Sequence, residues 1–237
     1  MGVRFARHKP RHLLAPLLYK LDRFFPASPQ RKLDLLLDLE WIANRLAHEN
    51  AVKIGLANGR RNVFLLDRID PTDRVLDLGC GTGAVSGSIS ATQVVGVDHD
   101  EASIRVARRE HPGRTFVVGD AREYLQSAEP FQVLVLSHIL EHLDDPGTFL
   151  LGIAQNFERI YFEVPDFEWS NNNLLREKRG RSLIYTDNDH VSEFDRDELE
   201  ELFAAAGLSV SDAEFRGGVM RYWLTPDRLV PGQRPIA

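Results

Sequence analysis

The chain has 237 residues, of which 43% are apolar and 27% charged, and a net charge of −6. That is enough for one well-buried α/β domain with an appendage, and the acidic balance gives no reason to expect a polyanionic partner. Cys80 is the only cysteine, which excludes an intrachain disulfide and points to a reducing compartment.

No apolar run approaches the roughly 18 residues of a membrane span. Pro16, Lys20 and Asp22 interrupt the N-terminal apolar stretch too early for a secretory signal, so a cytoplasmic location is expected.

The first 32 residues carry Arg4, Arg7, Lys9, Arg11, Lys20, Arg23, Arg31 and Lys32 against the single acid Asp22. Leu13, Leu14, Leu17, Leu18, Leu21, Phe24 and Phe25 recur at helical spacing. This arm reads first as a helix that docks on its own domain or, in a homodimer, on a second subunit. A membrane surface and a nucleic acid are the alternatives. Ser28 and Pro29 start a second helix, which should fade near His48. A third helical piece is expected over 61–68. We therefore expect a helical arm or cap over 1–60, a ligand-binding domain over 61–225, and a loose tail over 226–237.

Val75-Leu76-Asp77-Leu78 is an apolar run of strand length that ends in Gly79-Cys80-Gly81-Thr82-Gly83. Glycines allow a tight turn and close approach of a ligand, and the helix expected from Ala84 leaves N–H groups free at its start. Strands are then expected over 93–97, 115–118, 131–137 and 159–164, alternating with helices over 101–109, 121–126 and 149–157. That alternation gives an α/β fold with a doubly wound, mostly parallel sheet.

The glycine pattern alone also satisfies a dinucleotide fingerprint. Three acids point elsewhere. Asp77 is placed to meet a cationic amino-acid group, Asp98 to accept both ribose hydroxyls, and Asp120 to accept from an adenine amino group. A ligand with a cationic head, a ribose and an adenine but no pyrophosphate is S-adenosylmethionine.

On these residues the sequence resembles the class I S-adenosylmethionine-dependent methyltransferases over about 63–224. Asp77-Leu78-Gly79-Cys80-Gly81-Thr82-Gly83 is similar to their first motif, Asp98 to the ribose-binding acid, Gly119-Asp120-Ala121 to the adenine turn, and 131–143 to the fourth-strand motif. The resemblance implies a seven-stranded sheet and a cofactor site built from Asp77, Gly79, Cys80, Gly81, Gly83, Asp98, His99, Asp120, Ala121 and Ser137.

Ligands in such sheets bind at the carboxyl ends of the strands, so the three acids, Ser137-His138 and Glu163 to Asp166 should converge on one crevice. If the stretch after strand four is helical, His138, Glu141 and His142 share one face. They would form a general base with its orienting partner, or ligands for a divalent ion. Some quinone-precursor O-methyltransferases of the class carry Glu-x-x-Glu-His here and bind a metal. His138 in place of the first Glu weakens a Mg²⁺ site and favours His138 as general base. Glu141, His142, Glu163 and Asp166 remain the metal candidates, and His190 is a second candidate base.

Residues 165–192 break the alternation and read as a lid. Trp169, Tyr185 and Arg181 are its candidate substrate-binding residues, and Arg176, Lys178, Arg179 and Arg181 form a basic cluster. Asp195 and Glu198 open a helix over 195–206 that Gly207 ends, and two strands follow around Gly217-Gly218.

The function expected is transfer of a methyl group to a hydroxyl of a small molecule, with a sugar or glycoside preferred over an aromatic acceptor. An RNA methyltransferase is the runner-up, and a non-catalytic S-adenosylmethionine-binding subunit the third reading.

Overall fold

The computed structural model describes residues 15–54, 62–127, 130–167, 172–184 and 189–227. Trp169 and Tyr185, and the tail beyond Asp227, lie outside the described residues. The chain divides into two compact units, Met1–Leu56 and Ala57–Ala237.

The first unit contains α1 (Ala15–Phe24) and α2 (Pro29–Lys53). Ser28 Oγ accepts from the Arg31 amide at 3.3 Å, which starts α2 where the sequence signals it. The helix runs beyond His48 to Lys53. Asn44 to Lys53 holds no proline or glycine to stop it.

The second unit opens with the short α3 (Val63–Leu66), capped by Asn62, whose Oδ1 accepts from the Leu65 amide at 3.0 Å. There follow β1 (Arg74–Leu78), α4 (Ala84–Ser88), β2 (Gln93–Asp98), α5 (Glu101–Glu110), β3 (Thr115–Val118), α6 (Ala121–Ser127) and β4 (Val133–Ser137). Then come α7 (Pro146–Ile153), β5 (Arg159–Pro165), α8 (Asn173–Lys178), α9 (Arg196–Ala205), β6 (Leu208–Phe215) and β7 (Val219–Pro226). The seven strands lie in the order β3-β2-β1-β4-β5-β7-β6, parallel except at β7. This is the α/β, seven-stranded sheet that the class I resemblance implies.

The central strands are buried on both faces, and β4 is buried at every position but its last. Alternate residues serve different layers. Leu76 and Leu78 of β1 join one apolar cluster with Phe149, Phe162 and Phe203, whereas Val75 joins another with Leu65, Tyr161 and Trp223. Asp77 therefore projects into the Val75 layer, towards α4.

Two elements depart from expectation. Helix α7 begins three residues before Phe149, because Asp145 Oδ1 accepts from the Thr148 amide at 2.9 Å and Pro146 occupies the first turn. The 165–192 insertion holds a short helix of its own, α8, and its Arg176 is buried. That arginine does not belong to a solvated basic face.

Candidate functional site

The turn after β1 is fixed by backbone bonds to the end of β2. The Gly79 and Cys80 amides donate to the Val97 carbonyl at 2.7 and 3.1 Å. Gly79 has φ +65, and a Cβ there would collide with the Ile139 side chain, so only glycine fits. Gly81, at φ +51, has open space where its Cβ would be, and its amide donates to Asp98 Oδ2 at 2.8 Å.

The other Asp98 oxygen accepts from the Asp100 amide at 2.8 Å. One carboxylate thus ties the glycine turn to the β2–α5 connection and still borders the cleft. Charge-assisted bonds of this kind contribute roughly 1.5–3 kcal/mol each.

The cleft has a volume of about 650 Å³. Gly79, Asp98, His99, Asp120, Ala121 and His138 line it, together with Leu78, Val97, Gly119, Ile139, His142, Leu143, Phe149 and Asp189. Asp120 Oδ1 accepts from the Glu123 amide at 3.2 Å and so also caps α6. Ile139, Leu143 and Phe149 form the apolar wall. They were not singled out from sequence, since isolated apolar residues beside a strand end carry no signal of their own.

The remaining cofactor candidates do not line the cleft. Asp77 is buried, and its Oδ2 accepts from Ser86 Oγ at 2.5 Å. Burial pushes its carboxyl up to about 7, despite the opposing Ser86 hydrogen bonds. Cys80 packs with Ile104, Ala107 and Phe116, and burial together with nearby Asp77 and Asp98 pushes its thiol up to about 12. A thiol so held is no nucleophile at neutral pH. Gly81, Gly83 and Ser137 are not among the residues lining the cleft.

His138 follows β4 in a left-handed conformation, φ 58, so it does not begin a helical turn. The turn that does form, a 3₁₀ turn, is Leu140–His142. The His138 amide donates to the Glu163 carbonyl at 2.9 Å, Nδ1 lies 2.9 Å from Glu141 Oε1, and Nε2 lies 3.4 Å from Glu163 Oε1. Burial opposes the imidazolium, but the two carboxylates outweigh it and raise His138 to about 9. Burial likewise opposes the Glu163 charge, and the hydrogen bonds from His138 and Tyr161 with the Arg221 charge hold that carboxyl down at about 2.

Register explains this meeting. Ser137 stands opposite Glu163, Glu163 opposite Arg221, and Arg221 opposite Glu214, in one row across β4, β5, β7 and β6. Arg221 Nε donates to Glu163 Oε2 at 2.6 Å, and its Nη1 to Glu214 Oε2 at 3.1 Å. Tyr161 and Asn62 also donate to Glu163 Oε2, at 2.5 and 3.0 Å.

His142 also lines the cleft, and His190 stands beside it. His142 Nδ1 is 3.3 Å from the Asp189 carbonyl, and its ring meets that of His190 edge-to-face at 4.8 Å. The His190 side chain is largely buried, with Nδ1 3.2 Å from Glu193 Oε1. The amides of Val191 and Ser192 donate to the Glu141 carbonyl at 2.8 and 3.2 Å, so the returning limb of the insertion is pinned to the turn after β4.

Glu141, His142 and His190 each offer a ligand atom, all within 4.8 Å of one another. Glu141 is buried, and its Oε2 has no hydrogen-bond partner among the described residues. Glu163 is engaged by Arg221, and Asp166 Oδ2 by Arg196 at 3.0 Å. Arg181 is half-buried after α8 and is not among the cleft-lining residues.

A methyltransferase-domain family model matches residues 20–213. A ubiquinone biosynthesis O-methyltransferase of Hahella chejuensis is 35% identical over 106 residues, covering 40% of this chain and 44% of that protein. A probable S-adenosylmethionine-dependent methyltransferase of Mycolicibacterium smegmatis is 30% identical over 140 residues, covering 58% and 52%. The chain thus spans about half the length of these curated relatives.

Among solved structures, a TehB-like methyltransferase from Corynebacterium glutamicum superposes with a TM-score of 0.54 at 17% identity, covering 80% of this chain and all of that one. The magnesium protoporphyrin IX methyltransferase of Synechocystis PCC 6803, which carries bound SAH, gives 0.54 at 13% identity, covering 90% and 95%. At these identities the likeness is one of fold. None of the described helices is long and apolar enough to cross a membrane. The chain belongs to the methyltransferase-domain family, in its class I, S-adenosylmethionine-dependent branch.

Proposed function

We propose that the chain transfers the methyl group of S-adenosylmethionine to a hydroxyl of a small-molecule acceptor, with His138 as the base. The observation that carries this reading is the position of His138, on the cleft wall and between two carboxylates.

S-adenosylmethionine supplies a methyl on a positively charged sulfur, a leaving group already activated for in-line displacement. The protein then has to hold, orient and deprotonate. Asp98 accepts the ribose hydroxyls, Asp120 the adenine amino group, and Ile139, Leu143 and Phe149 enclose the adenine face. Asp77 is buried and holds the start of α4 through Ser86 Oγ. Nε2 of His138, the looser of its two contacts, takes the hydroxyl proton, while Glu141 fixes Nδ1 and stabilises the imidazolium that results. Because His138 is held at about 9, only about one imidazole in a hundred is neutral at pH 7, and turnover should climb with pH.

The acceptor class is narrowed by two considerations. The sugar reading leans on lid residues, of which Trp169 and Tyr185 lie outside the described residues and Arg176 is buried. Several relatives are named ubiquinone biosynthesis O-methyltransferase, which supports a ring hydroxyl. We take a hydroxylated aromatic ring as the better acceptor.

A divalent ion fits Glu141, His142 and His190, whose two nitrogens and one oxygen suit a borderline ion more than Mg²⁺. Held there, an ion would supply Lewis-acid polarisation of the acceptor oxygen.

The test is methyl transfer from labelled S-adenosylmethionine by the full chain to a panel of catechols, sugars and RNA, with and without EDTA. Label on a catechol or sugar hydroxyl is expected. Cofactor binding without transfer to any acceptor would favour the non-catalytic reading, and label in RNA would favour the runner-up.

A further inference from the structure

A second cavity, of about 900 Å³, is walled by the start of α3, α4, Glu163 and the β6–β7 hairpin. It is lined wholly by residues of the second unit. Its chemistry is divided. Val63, Phe64 and Val85 give it an apolar wall, while Arg216 and Arg221 stand on the hairpin side.

The carboxylates of this cavity are already satisfied. Glu163 Oε2 accepts from Asn62, Tyr161 and Arg221, and Glu163 Oε1 faces His138. Glu214 accepts from Arg221 Nη1. The cations are not used up. Nη2 of Arg221 has no hydrogen-bond partner among the described residues. Arg216 donates its amide to the Val219 carbonyl and accepts from Arg221 at its own carbonyl, while its guanidinium makes no ion pair or hydrogen bond among the described residues. A half-buried cavity with an apolar wall and unspent guanidinium donors selects a ligand with an apolar ring and an anionic end.

We propose that this cavity binds the acceptor, and that the acceptor is a hydroxylated aromatic acid whose carboxylate is held by Arg216 and the free donor of Arg221. This rests on the methyl-transfer reading for its role but not for its binding chemistry. The ring lies against Val63, Phe64 and Val85. Glu163 lines this cavity and its Oε1 lies 3.4 Å from His138 Nε2, so transfer requires the ring hydroxyl to reach the imidazole beside that carboxylate.

The experiment compares 3,4-dihydroxybenzoate with its neutral amide as probes. Binding to the full chain is measured by calorimetry, with and without S-adenosylhomocysteine. Methyl transfer to each probe is measured separately. The acid is expected to bind at least tenfold more tightly than the amide. Arg216→Gln, in an exposed turn where it should not disturb folding, is expected to remove that preference and leave amide binding unchanged. Arg216→Lys should keep part of it.

Equal binding of acid and amide, no binding of either, or an unaltered preference in Arg216→Gln would overturn the proposal. Loss of acid binding when S-adenosylhomocysteine is added would also overturn it, since the cavity would then hold the cofactor's own carboxylate. Acid-selective binding without methyl transfer would leave the site standing and count against the transferase reading. Transfer to both probes alike would do the reverse.

Discussion

Glu163 Oε1 lies 3.4 Å from His138 Nε2, and the same carboxylate's other oxygen is 2.6 Å from Arg221 Nε. One side chain therefore couples the turn after β4 to β7. The base invoked for catalysis is held from two sides, by Glu141 of its own turn and by Glu163 of the neighbouring strand β5.

His138→Ala is expected to reduce turnover by about 10²- to 10⁴-fold while S-adenosylhomocysteine affinity stays within about twofold. In the wild type, log kcat should rise with pH and level off near 9, because the neutral imidazole is the active form and His138 is raised to about 9. Glu141→Gln should move that rising limb to lower pH by about one unit or more. A pH-independent rate from 6 to 9 would remove His138 from the role.

The same raised value has a stability consequence. A histidine raised above its unfolded 6.5 contributes stability that is complete below 6.5 and is lost as pH rises through about 9. His138→Ala should therefore lose more stability at pH 6 than at pH 9.5, as read by urea midpoints. An equal loss at both would mean that the imidazole does not hold the ion pairs.

Asp77 works in the opposite sense. Its folded value of about 7 exceeds the ordinary 3.8 of an aspartate, so the native state binds the proton more tightly, and stability falls as pH rises from about 4 to 7. Asp77→Asn should stabilise the free protein at pH 8 by an amount on the order of a few kcal/mol and have little effect near pH 3.5. Denaturant titrations at the two pH values measure this. Destabilisation at pH 8 would mean that the charged carboxylate is needed for folding.

Asp98→Ala removes two backbone hydrogen bonds as well as the ribose acceptor. S-adenosylhomocysteine affinity should fall by about 10- to 100-fold, consistent with roughly 1.5–3 kcal/mol per charge-assisted bond. Calorimetry measures it. Unchanged affinity would refute the assignment of Asp98 to the ribose.

The two turn glycines should separate. Gly79→Ala meets the Ile139 side chain and takes a positive φ, so both stability and cofactor binding should drop. Gly81→Ala has room around its Cβ and should cost only about 1–2 kcal/mol of backbone strain. It would put a methyl group into open space beside Asp98, so cofactor affinity should suffer more than stability. Melting temperatures and calorimetry on both variants distinguish the two effects.

The parallel strands and the glycine turn are readable because each of those strands is a short apolar run, and β1, β2 and β3 end at a glycine or an acid. The Asp195–Glu198 capping box was readable for the same reason, since its chemistry is local. Helix α7 is announced by its apolar residues, whereas its start at Asp145 and Pro146 lies ahead of that apolar run. Helix α8 has six residues and a polar sequence, so no period could announce it, nor the burial of Arg176.

The row of Ser137, Glu163, Arg221 and Glu214 could not be read at all. It depends on the register of β5 against β7, which pairs residues 58 positions apart. His190 meets His142 for a similar reason, because the returning insertion is pinned to the Glu141 carbonyl.

Strand β7 is the last of the described strands in the chain, yet it lies inside the sheet, between β5 and β6. During synthesis β5 must wait with an open edge, and Glu163 must wait beside His138 without its guanidinium. Until Val219–Pro226 enters, the growing chain presents an unpaired, hydrophobic strand to other chains and to chaperones. The late, long-range closure of the sheet and the completion of the acid–base row are then one folding event, and a protein that misses it lacks both a closed edge and a finished site.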